Sequence, residues 1–222
     1  MVNIIHLHGF ASSPGSNKAR FFAEKFASLG VNFRVPDLNV PNFEHLTLTT
    51  MIERAAQEVL GCPPGPVYLI GSSMGGAVAL HLMDRIPAAA QRVSRMTLLA
   101  PGLDFVASRR RQLGEDGLKT WQQTGWLNVR HYGDGKEHQL HYAILSDIAK
   151  YDAFRVLVHV PILLIHGRRD AVVDYTQSVR FAQTRPNVTL HLIDADHTLT
   201  DALPPITALI MDFFDLKASH ES

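Results

Sequence analysis

A serine set between glycines carries the clearest chemistry in this chain. Residues 67–76 read V-Y-L-I-G-S-S-M-G-G, and a helix-forming A-V-A-L-H-L-M run follows directly. This is the G-x-S-x-G pattern of a nucleophile elbow, a sharp strand-to-helix turn that exposes a serine hydroxyl. Glycines on both sides of the serine remove side chains that would collide with the adjoining strand and helix. The pattern therefore makes Ser73 the candidate nucleophile.

An acid and a base follow Ser73 later in the chain. A serine needs a histidine to accept its proton and a carboxylate to orient that histidine. G-R-R-D follows the apolar segment that ends at His166, and D-A-D-H follows the segment that ends at Ile193. The order Ser73, Asp170, His197 is the order expected for this motif. The sequence therefore predicts Asp170 as the acid and His197 as the base.

Other residues compete for these two roles. Asp174 and Asp104 could also reach the histidine, although Asp174 precedes a helical pattern and could start that helix. Asp196 is interpreted as a loop-capping residue. His6 and His166 lie within predicted strands, where a core or edge histidine is the expected interpretation.

Two backbone amides are predicted to stabilise a developing oxyanion. Met74 follows the nucleophile at the start of a helix, where the helix dipole favours negative charge. Phe10 follows His8 and Gly9 at the end of the first strand, and Gly9 permits the close backbone approach that such a site requires. Phe10 and Met74 are therefore the candidate N–H donors.

The elements that must position these residues alternate between short apolar runs and helical patterns. Such alternation predicts an α/β fold with a mostly parallel sheet and helices on both faces. The predicted strands are Val2–Leu7, Asn32–Val35, Val67–Ile70, Arg95–Leu99, Ile162–His166 and Thr189–Ile193. The predicted helices are Lys18–Leu29, Leu48–Gly61, Gly75–Ile86, Thr176–Gln183 and Leu203–Leu216.

Residues 102–154 interrupt this alternation. They contain both tryptophans of the protein and lack a convincing parallel strand. An insertion of this length is too long for a plain loop and predicts a small lid over the site. Phe105, Trp121 and Trp126 are predicted to form an apolar wall that contacts substrate.

The composition excludes several classes of protein. The 222 residues are 46% hydrophobic and 19% charged, and 21 basic residues balance 21 acidic ones, so neither nucleic acid nor an anionic membrane is a predicted partner. The run Arg109–Arg111 is interpreted as a solvated helix face. A single cysteine, Cys62, excludes an intramolecular disulfide and favours a reducing compartment. No signal peptide or spanning run is recognised, so the sequence predicts a cytoplasmic protein.

The segment H-L-H-G-F-A-S-S-P-G-S-N-K-A at the start of the chain is similar to that of small bacterial esterases of the YqiA-like group, within the α/β-hydrolase superfamily. The resemblance covers nearly all of the chain. It implies a Ser73 nucleophile, an Asp170 acid, a His197 base and oxyanion amides from Phe10 and Met74. It also implies ester hydrolysis through an acyl-enzyme without a cofactor. Because the chain starts at the strand before H-G-F, about six strands are expected.

The predicted protein is a single domain over residues 1–222, a serine carboxylesterase for small esters with short acyl groups. The same residues could instead serve a thioesterase, an amidase or a carbon–carbon bond hydrolase. A non-catalytic binding protein of this fold is the remaining alternative. No H-E-x-x-H motif or similar ligand spacing occurs, so no metal is predicted. The oligomeric state stays open.

Overall fold

The structure is a computed structural model that describes residues 1–216. Residues 217–222, the end of the predicted domain, lie outside the described part. Six strands form one parallel sheet. They are β1 Asn3–Leu7, β2 Asn32–Arg34, β3 Val67–Ser72, β4 Val93–Leu99, β7 Ile162–Gly167 and β8 Val188–Ile193. Their order across the sheet is β2-β1-β3-β4-β7-β8. The predicted six-stranded parallel sheet is therefore confirmed.

Helices cover both faces of this sheet. They are α1 Asn17–Ala27, α2 Leu48–Leu60, α3 Met74–Arg85, α4 Pro87–Ala90, α5 Phe105–Thr124, α6 Ala143–Ile148, α7 Thr176–Gln183 and α8 Leu203–Phe213. Phe22 of α1 and Ile206 of α8 belong to one buried cluster, whereas Ile52 of α2 and Val78 of α3 belong to the other. The strands β1 and β7 are buried along their whole length. Burial on both faces explains why apolar residues predominate in both sequences.

The residues between β4 and β7 form a unit of their own. Helix α5 is followed by an antiparallel hairpin of β5 Trp126–Arg130 and β6 Glu137–His141, and then by α6. Helix α5 contains a break at Gly114, where φ is 66°. The helix ends at Gly125 with φ at 79°, a left-handed conformation that glycine adopts without a steric penalty. No parallel strand is predicted for this segment, and its hairpin is antiparallel.

The carboxyl ends of the parallel strands carry the predicted site residues to one edge of the sheet. Gly9 and Phe10 follow β1, and Ser73 follows β3. Asp170 follows β7, and His197 follows β8. Parallel strands bring their carboxyl ends together, so four segments distant in sequence meet at this edge. Within residues 1–216, no helix is long and apolar enough to cross a membrane.

Candidate active site

Ser73 lies at a sharp turn between β3 and α3. Its φ of 51° and ψ of −118° fall in a region that residues other than glycine rarely adopt. The Ser73 N–H donates to the Leu99 carbonyl at 2.9 Å, and the Ser73 carbonyl accepts from Gly76 at 2.9 Å and from Gly102 at 3.0 Å. These bonds hold the strained backbone in place. The turn therefore presents the Ser73 side chain at the end of the sheet.

The glycines around Ser73 are required by close backbone packing. A β-carbon on Gly71 would lie 2.6 Å from the Gly75 carbonyl oxygen. A β-carbon on Gly75 would lie 2.1 Å from the Leu7 carbonyl oxygen. Both distances are far below van der Waals contact, so any side chain would force strand and helix apart.

Ser73, His197 and Asp170 form a continuous chain of hydrogen bonds. The Nε2 atom of His197 lies 3.1 Å from the Oγ atom of Ser73. The Nδ1 atom of His197 lies 2.7 Å from the Oδ2 atom of Asp170. Because a carboxylate only accepts, Nδ1 carries the proton and Nε2 is free to accept from the serine hydroxyl. The structure thus brings the three predicted residues together in the geometry that proton transfer requires.

The Asp170 carboxylate is fully buried and accepts four hydrogen bonds. Its Oδ1 atom accepts from the backbone N–H groups of Val172 and Val173 at 2.8 and 2.7 Å. Its Oδ2 atom is shared between His197 and the Nε2 atom of His166, which lies 3.0 Å away. Burial alone would raise the pKa of Asp170, but hydrogen bonds from His166 and His197 outweigh it and hold this pKa below its ordinary range. Asp170 therefore remains ionised.

His166 is the residue that sequence reasoning missed. The interpretation of His166 as a core histidine agrees with its fully buried side chain. That interpretation did not include the contact of His166 with the predicted acid. Its Nε2 atom faces two acceptors, the Asp170 carboxylate and the Val173 carbonyl at 3.2 Å, so this nitrogen carries the proton. Its Nδ1 atom then accepts from the Ser178 hydroxyl at 2.7 Å. The sequence signal that could have indicated this contact is the spacing of four residues between His166 and Asp170, which lie across a tight turn.

The alternative carboxylates serve local backbone structure. Asp104 accepts from the Ala107 N–H at 2.9 Å at the start of α5. Asp174 accepts from the Thr176 N–H at 2.9 Å just before α7. Asp196 accepts from the backbone and the hydroxyl of Thr198, as the loop-capping interpretation predicted.

Lys18 of the initial motif supports the loop that carries His197. Its Nζ atom donates to the carbonyl of Thr198, the next residue, at 2.7 Å. Burial lowers the pKa of Lys18 to about 8, although the carboxylates of Asp196 and Asp170 act in the opposite direction. The ammonium thus links the N-terminal segment to the base.

The two predicted oxyanion amides belong to segments that adjoin Ser73. A β-carbon on Gly9 would lie 3.2 Å from the Ser73 Cβ atom, so the Gly9–Phe10 segment lies directly against the serine. Met74 begins α3. Among the hydrogen bonds of the described residues, neither the Phe10 nor the Met74 amide has an acceptor. Both N–H groups are therefore available to a bound oxyanion.

A small apolar cavity of about 20 Å³ adjoins the elbow. Its walls are Leu48, Met74, Ala77, His81, Gly102, Leu103, Phe105, Ile148 and Tyr151. The structure thus brings Phe105 to this cavity. It does not bring Trp121, which is 1% exposed and donates its indole N–H to the Leu140 carbonyl at 3.1 Å. Nor does it bring Trp126, whose ring contacts His45 and His141 instead.

The run Arg109–Arg111 is not a uniformly solvated face. Arg110 is exposed and pairs with Glu115 at 2.7 Å, as a solvated face predicts. The guanidinium of Arg109 instead lies over two aromatic rings, those of Phe10 and Phe105, at 4.8 Å from each centroid. The interpretation is therefore wrong for Arg109, because a periodic charge pattern cannot reveal which residue the neighbouring loop covers.

Comparison with known proteins gives one family and several distant relatives. The model of the Uncharacterised protein family (UPF0227) matches residues 3–215. The palmitoyl-protein thioesterase ABHD10, mitochondrial, of Bos taurus is 23% identical over 209 residues, a match that covers 89% of this chain and 67% of that protein.

Two solved structures show the fold. The alpha/beta hydrolase domain-containing protein 10 from mouse has a TM-score of 0.78 at 23% identity and covers 96% of this chain and 89% of its own. Est1E from Butyrivibrio proteoclasticus, solved with ferulic acid bound, has a TM-score of 0.77 at 19% identity over 96% of this chain and 88% of its own. The α/β-hydrolase fold predicted from the sequence is confirmed.

Proposed function

The chain belongs to the Uncharacterised protein family (UPF0227) and is a hydrolase of the α/β-hydrolase superfamily, and we propose that it is a serine carboxylesterase for small esters with short acyl groups. The observation that carries this proposal is the chain of hydrogen bonds from Ser73 through His197 to Asp170. A serine at a strained turn, a histidine in the accepting tautomer and a buried carboxylate together supply an activated nucleophile.

The proposed reaction proceeds through an acyl-enzyme. The Ser73 hydroxyl attacks the ester carbonyl while His197 Nε2 accepts its proton and then donates it to the departing alcohol. Asp170 stabilises the imidazolium, and the Phe10 and Met74 amides donate to the tetrahedral oxyanion. Water then attacks the acyl-enzyme with His197 as the base, which releases the acid and restores Ser73.

The preference for short acyl groups is supported by the cavity beside the elbow. Its volume of about 20 Å³ exceeds the roughly 10–15 Å³ that one water molecule requires. Such a space accommodates a group of a few atoms and not a long chain. Phe105 and Leu103 give it apolar walls, so we propose that it receives the acyl group.

Residues 102–154 are proposed to act as a lid on a single domain of residues 1–222. The hairpin reaches the loop after β1, because the Tyr132 N–H donates to the Ala11 carbonyl at 2.7 Å. Phe105 also contacts Phe10, with 5.5 Å between ring centroids. These contacts link the segment to a residue of the proposed oxyanion site. The role of Trp121 and Trp126 as substrate contacts finds no support in their positions, whereas Phe105 keeps that role.

Turnover of p-nitrophenyl acetate by purified protein tests the proposal. Replacement of Ser73 by alanine should lower kcat by at least about 10⁴-fold, because the nucleophile is lost. Ser72→Ala is the matched control, since Ser72 is adjacent and its hydroxyl faces His6 at 3.3 Å instead of the base. Undiminished turnover in the Ser73→Ala variant would exclude Ser73 as the nucleophile. A series from acetate to decanoate should show kcat/KM falling as the acyl chain lengthens.

A thioesterase is the second candidate, favoured by the relative from Bos taurus that is named as a palmitoyl-protein thioesterase. The same groups can cleave a thioester, since thioester and ester react through similar tetrahedral intermediates. A palmitoyl chain far exceeds the present cavity, so this candidate requires the lid to move. Turnover of a palmitoyl thioester at more than ten times the kcat/KM of p-nitrophenyl acetate would favour it. Amide and carbon–carbon bond cleavage remain outcomes of the same substrate comparison.

A cytoplasmic location is proposed together with this activity. Cys62 is buried and free, so the structure needs no oxidising compartment. Burial raises the pKa of the Cys62 thiol, which keeps it protonated and unreactive.

A further inference from the structure

Arg109 lies beside the proposed active site and has no counter-ion among residues 1–216. Both neighbours in the run have partners. Arg110 forms an ion pair with Glu115, and Arg111 donates a hydrogen bond to the Val172 carbonyl at 2.7 Å. Among residues 1–216, no carboxylate lies within 4.0 Å of the Arg109 guanidinium, and its buried Nε atom has no hydrogen-bond acceptor. A buried donor without an acceptor is costly and calls for an explanation.

The position of Arg109 is set by the first turns of α5. Phe105 and Arg109 are four residues apart, so both side chains project from one face of this helix. Their guanidinium-to-ring distance is 4.8 Å, and the ring of Phe10 lies at the same distance from the guanidinium. The two rings thus hold the guanidinium by cation–π contact. They also belong to the site, Phe10 through its amide and Phe105 through the cavity wall.

The chemistry of this group favours one kind of ligand. Burial lowers the pKa of Arg109, yet a guanidinium stays charged at neutral pH because its ordinary pKa exceeds 12. The rings of Phe10 and Phe105 satisfy none of its N–H donors by a conventional hydrogen bond, and the buried Nε atom has no acceptor among the described residues. A planar fork of N–H donors matches the two oxygens of a carboxylate.

We infer that Arg109 is an anion-binding residue of the substrate site, and that the substrate is a small ester that carries a carboxylate. This inference rests on the proposed esterase function and narrows it. The guanidinium binds the carboxylate while the ester carbonyl lies at Ser73 between the Phe10 and Met74 amides. The aromatic contacts and the limited exposure of Arg109 strengthen this ion pair relative to one in open water.

Hydrolysis of matched ester pairs tests the inference, and the rate is measured by titration of the acid that is released. Monomethyl glutarate and methyl pentanoate have equal acyl lengths and differ in the carboxylate, whereas acetoxyacetate and propyl acetate place the carboxylate on the alcohol side. In at least one pair, Arg109→Gln should lower the ratio of kcat/KM for the anionic over the neutral ester by roughly 10- to 100-fold. Arg109→Lys should lower it less, because it keeps the charge and loses the fork.

Arg110→Gln is the matched control, since it removes a neighbouring exposed guanidinium. Its ratio should stay within about twofold of the wild type, because a surface ion pair contributes little. The inference is overturned if Arg109→Gln leaves the ratio unchanged in both pairs, or if Arg110→Gln lowers it equally.

Calorimetric binding separates this inference from the esterase proposal. Monomethyl glutarate and acetoxyacetate are titrated into Ser73→Ala protein and into the Ser73→Ala, Arg109→Gln double variant. The inference predicts at least about tenfold weaker binding of one anion to the double variant. Arg109-dependent binding without turnover by the wild type would refute the esterase alone. Absence of Arg109-dependent binding would refute the anion site.

Discussion

Replacement of Asp170 by asparagine perturbs the proposed active site with almost no change in shape. The orientation of the new amide follows from the structure. Val172 and Val173 donate two backbone N–H groups to Oδ1, so the amide oxygen must take that side. The NH₂ group then faces His197 Nδ1 and His166 Nε2, both of which carry protons in the native protein.

This orientation reverses the tautomer of His197. With an N–H donor opposite Nδ1, the imidazole proton moves to Nε2, which then donates to Ser73 Oγ instead of accepting from it. The base can no longer take the serine proton, and the imidazolium also loses its buried counter-charge. The expected loss in kcat is about 10⁴-fold, which corresponds to about 5 kcal/mol of transition-state stabilisation. KM should change little, because Asp170 does not contact the substrate in the proposed complex.

Steady-state hydrolysis of p-nitrophenyl acetate measures this effect, with circular dichroism to verify folding. Asp174→Asn, Asp104→Asn and Asp196→Asn are the controls, since these carboxylates accept from nearby residues of their own segments. Each control should keep kcat within about threefold of the wild type, as expected for residues outside the reacting groups. The reasoning is refuted if Asp170→Asn retains more than a tenth of the wild-type kcat or if a control variant loses more.

Three further outcomes follow from the same contacts. His166→Leu should lower kcat roughly tenfold at constant KM in steady-state assays, because Asp170 loses one buried hydrogen bond that orients it. Gly75→Ala should reduce the free energy of unfolding in urea by at least about 2 kcal/mol, because its β-carbon would collide with the Leu7 carbonyl. Burial lowers the pKa of His81 to about 4 against the opposing charge of a nearby carboxylate, so the unfolded chain binds more protons between pH 6.5 and 4. Stability should therefore fall as the pH falls through this window, and His81→Phe should remove about 2 kcal/mol of the loss between pH 7 and 5.

Each of these outcomes has a contrary result, and the glycine substitution also has a matched control. For Gly75, the control is Gly15→Ala, whose β-carbon would meet no atom closer than 3.8 Å; equal stability of both variants would contradict the packing argument. For His81, an unchanged pH dependence in the phenylalanine variant would show that this imidazole titrates normally. For His166, a change in KM without a change in kcat would contradict a positioning role.

The strands of the sheet could be predicted from the sequence because each of them has a local pattern of apolar residues. The strand Ile162–Gly167 begins with four consecutive apolar residues and precedes a turn, which is the pattern of a strand buried on both faces. Helix α7 has the predicted bounds Thr176–Gln183. Ser73, Asp170 and His197 could be selected because each stands where such a strand ends, and parallel strands end at one edge.

The remaining features depend on contacts between distant segments. Trp121 is an aromatic residue in a long insertion, which suggests a substrate contact, yet its indole N–H donates to the Leu140 carbonyl within the insertion itself. His166 looks like a core residue because its partner Asp170 lies across a turn. In the sequence, Arg109 resembles its exposed neighbours, whereas in the structure its guanidinium lies against the ring of Phe10 from the loop after β1. Periodicity along one segment cannot reveal what another segment brings to it.

Labelling with a fluorophosphonate probe tests the central claim most directly. The probe reacts with a serine only where a base and oxyanion donors activate it, so intact-mass spectrometry should find one adduct per wild-type chain, and peptide mapping should assign it to Ser73. The Ser73→Ala variant should carry no adduct, whereas Ser72→Ala should be labelled like the wild type. An unlabelled wild-type protein, or an adduct on another serine, would contradict the account.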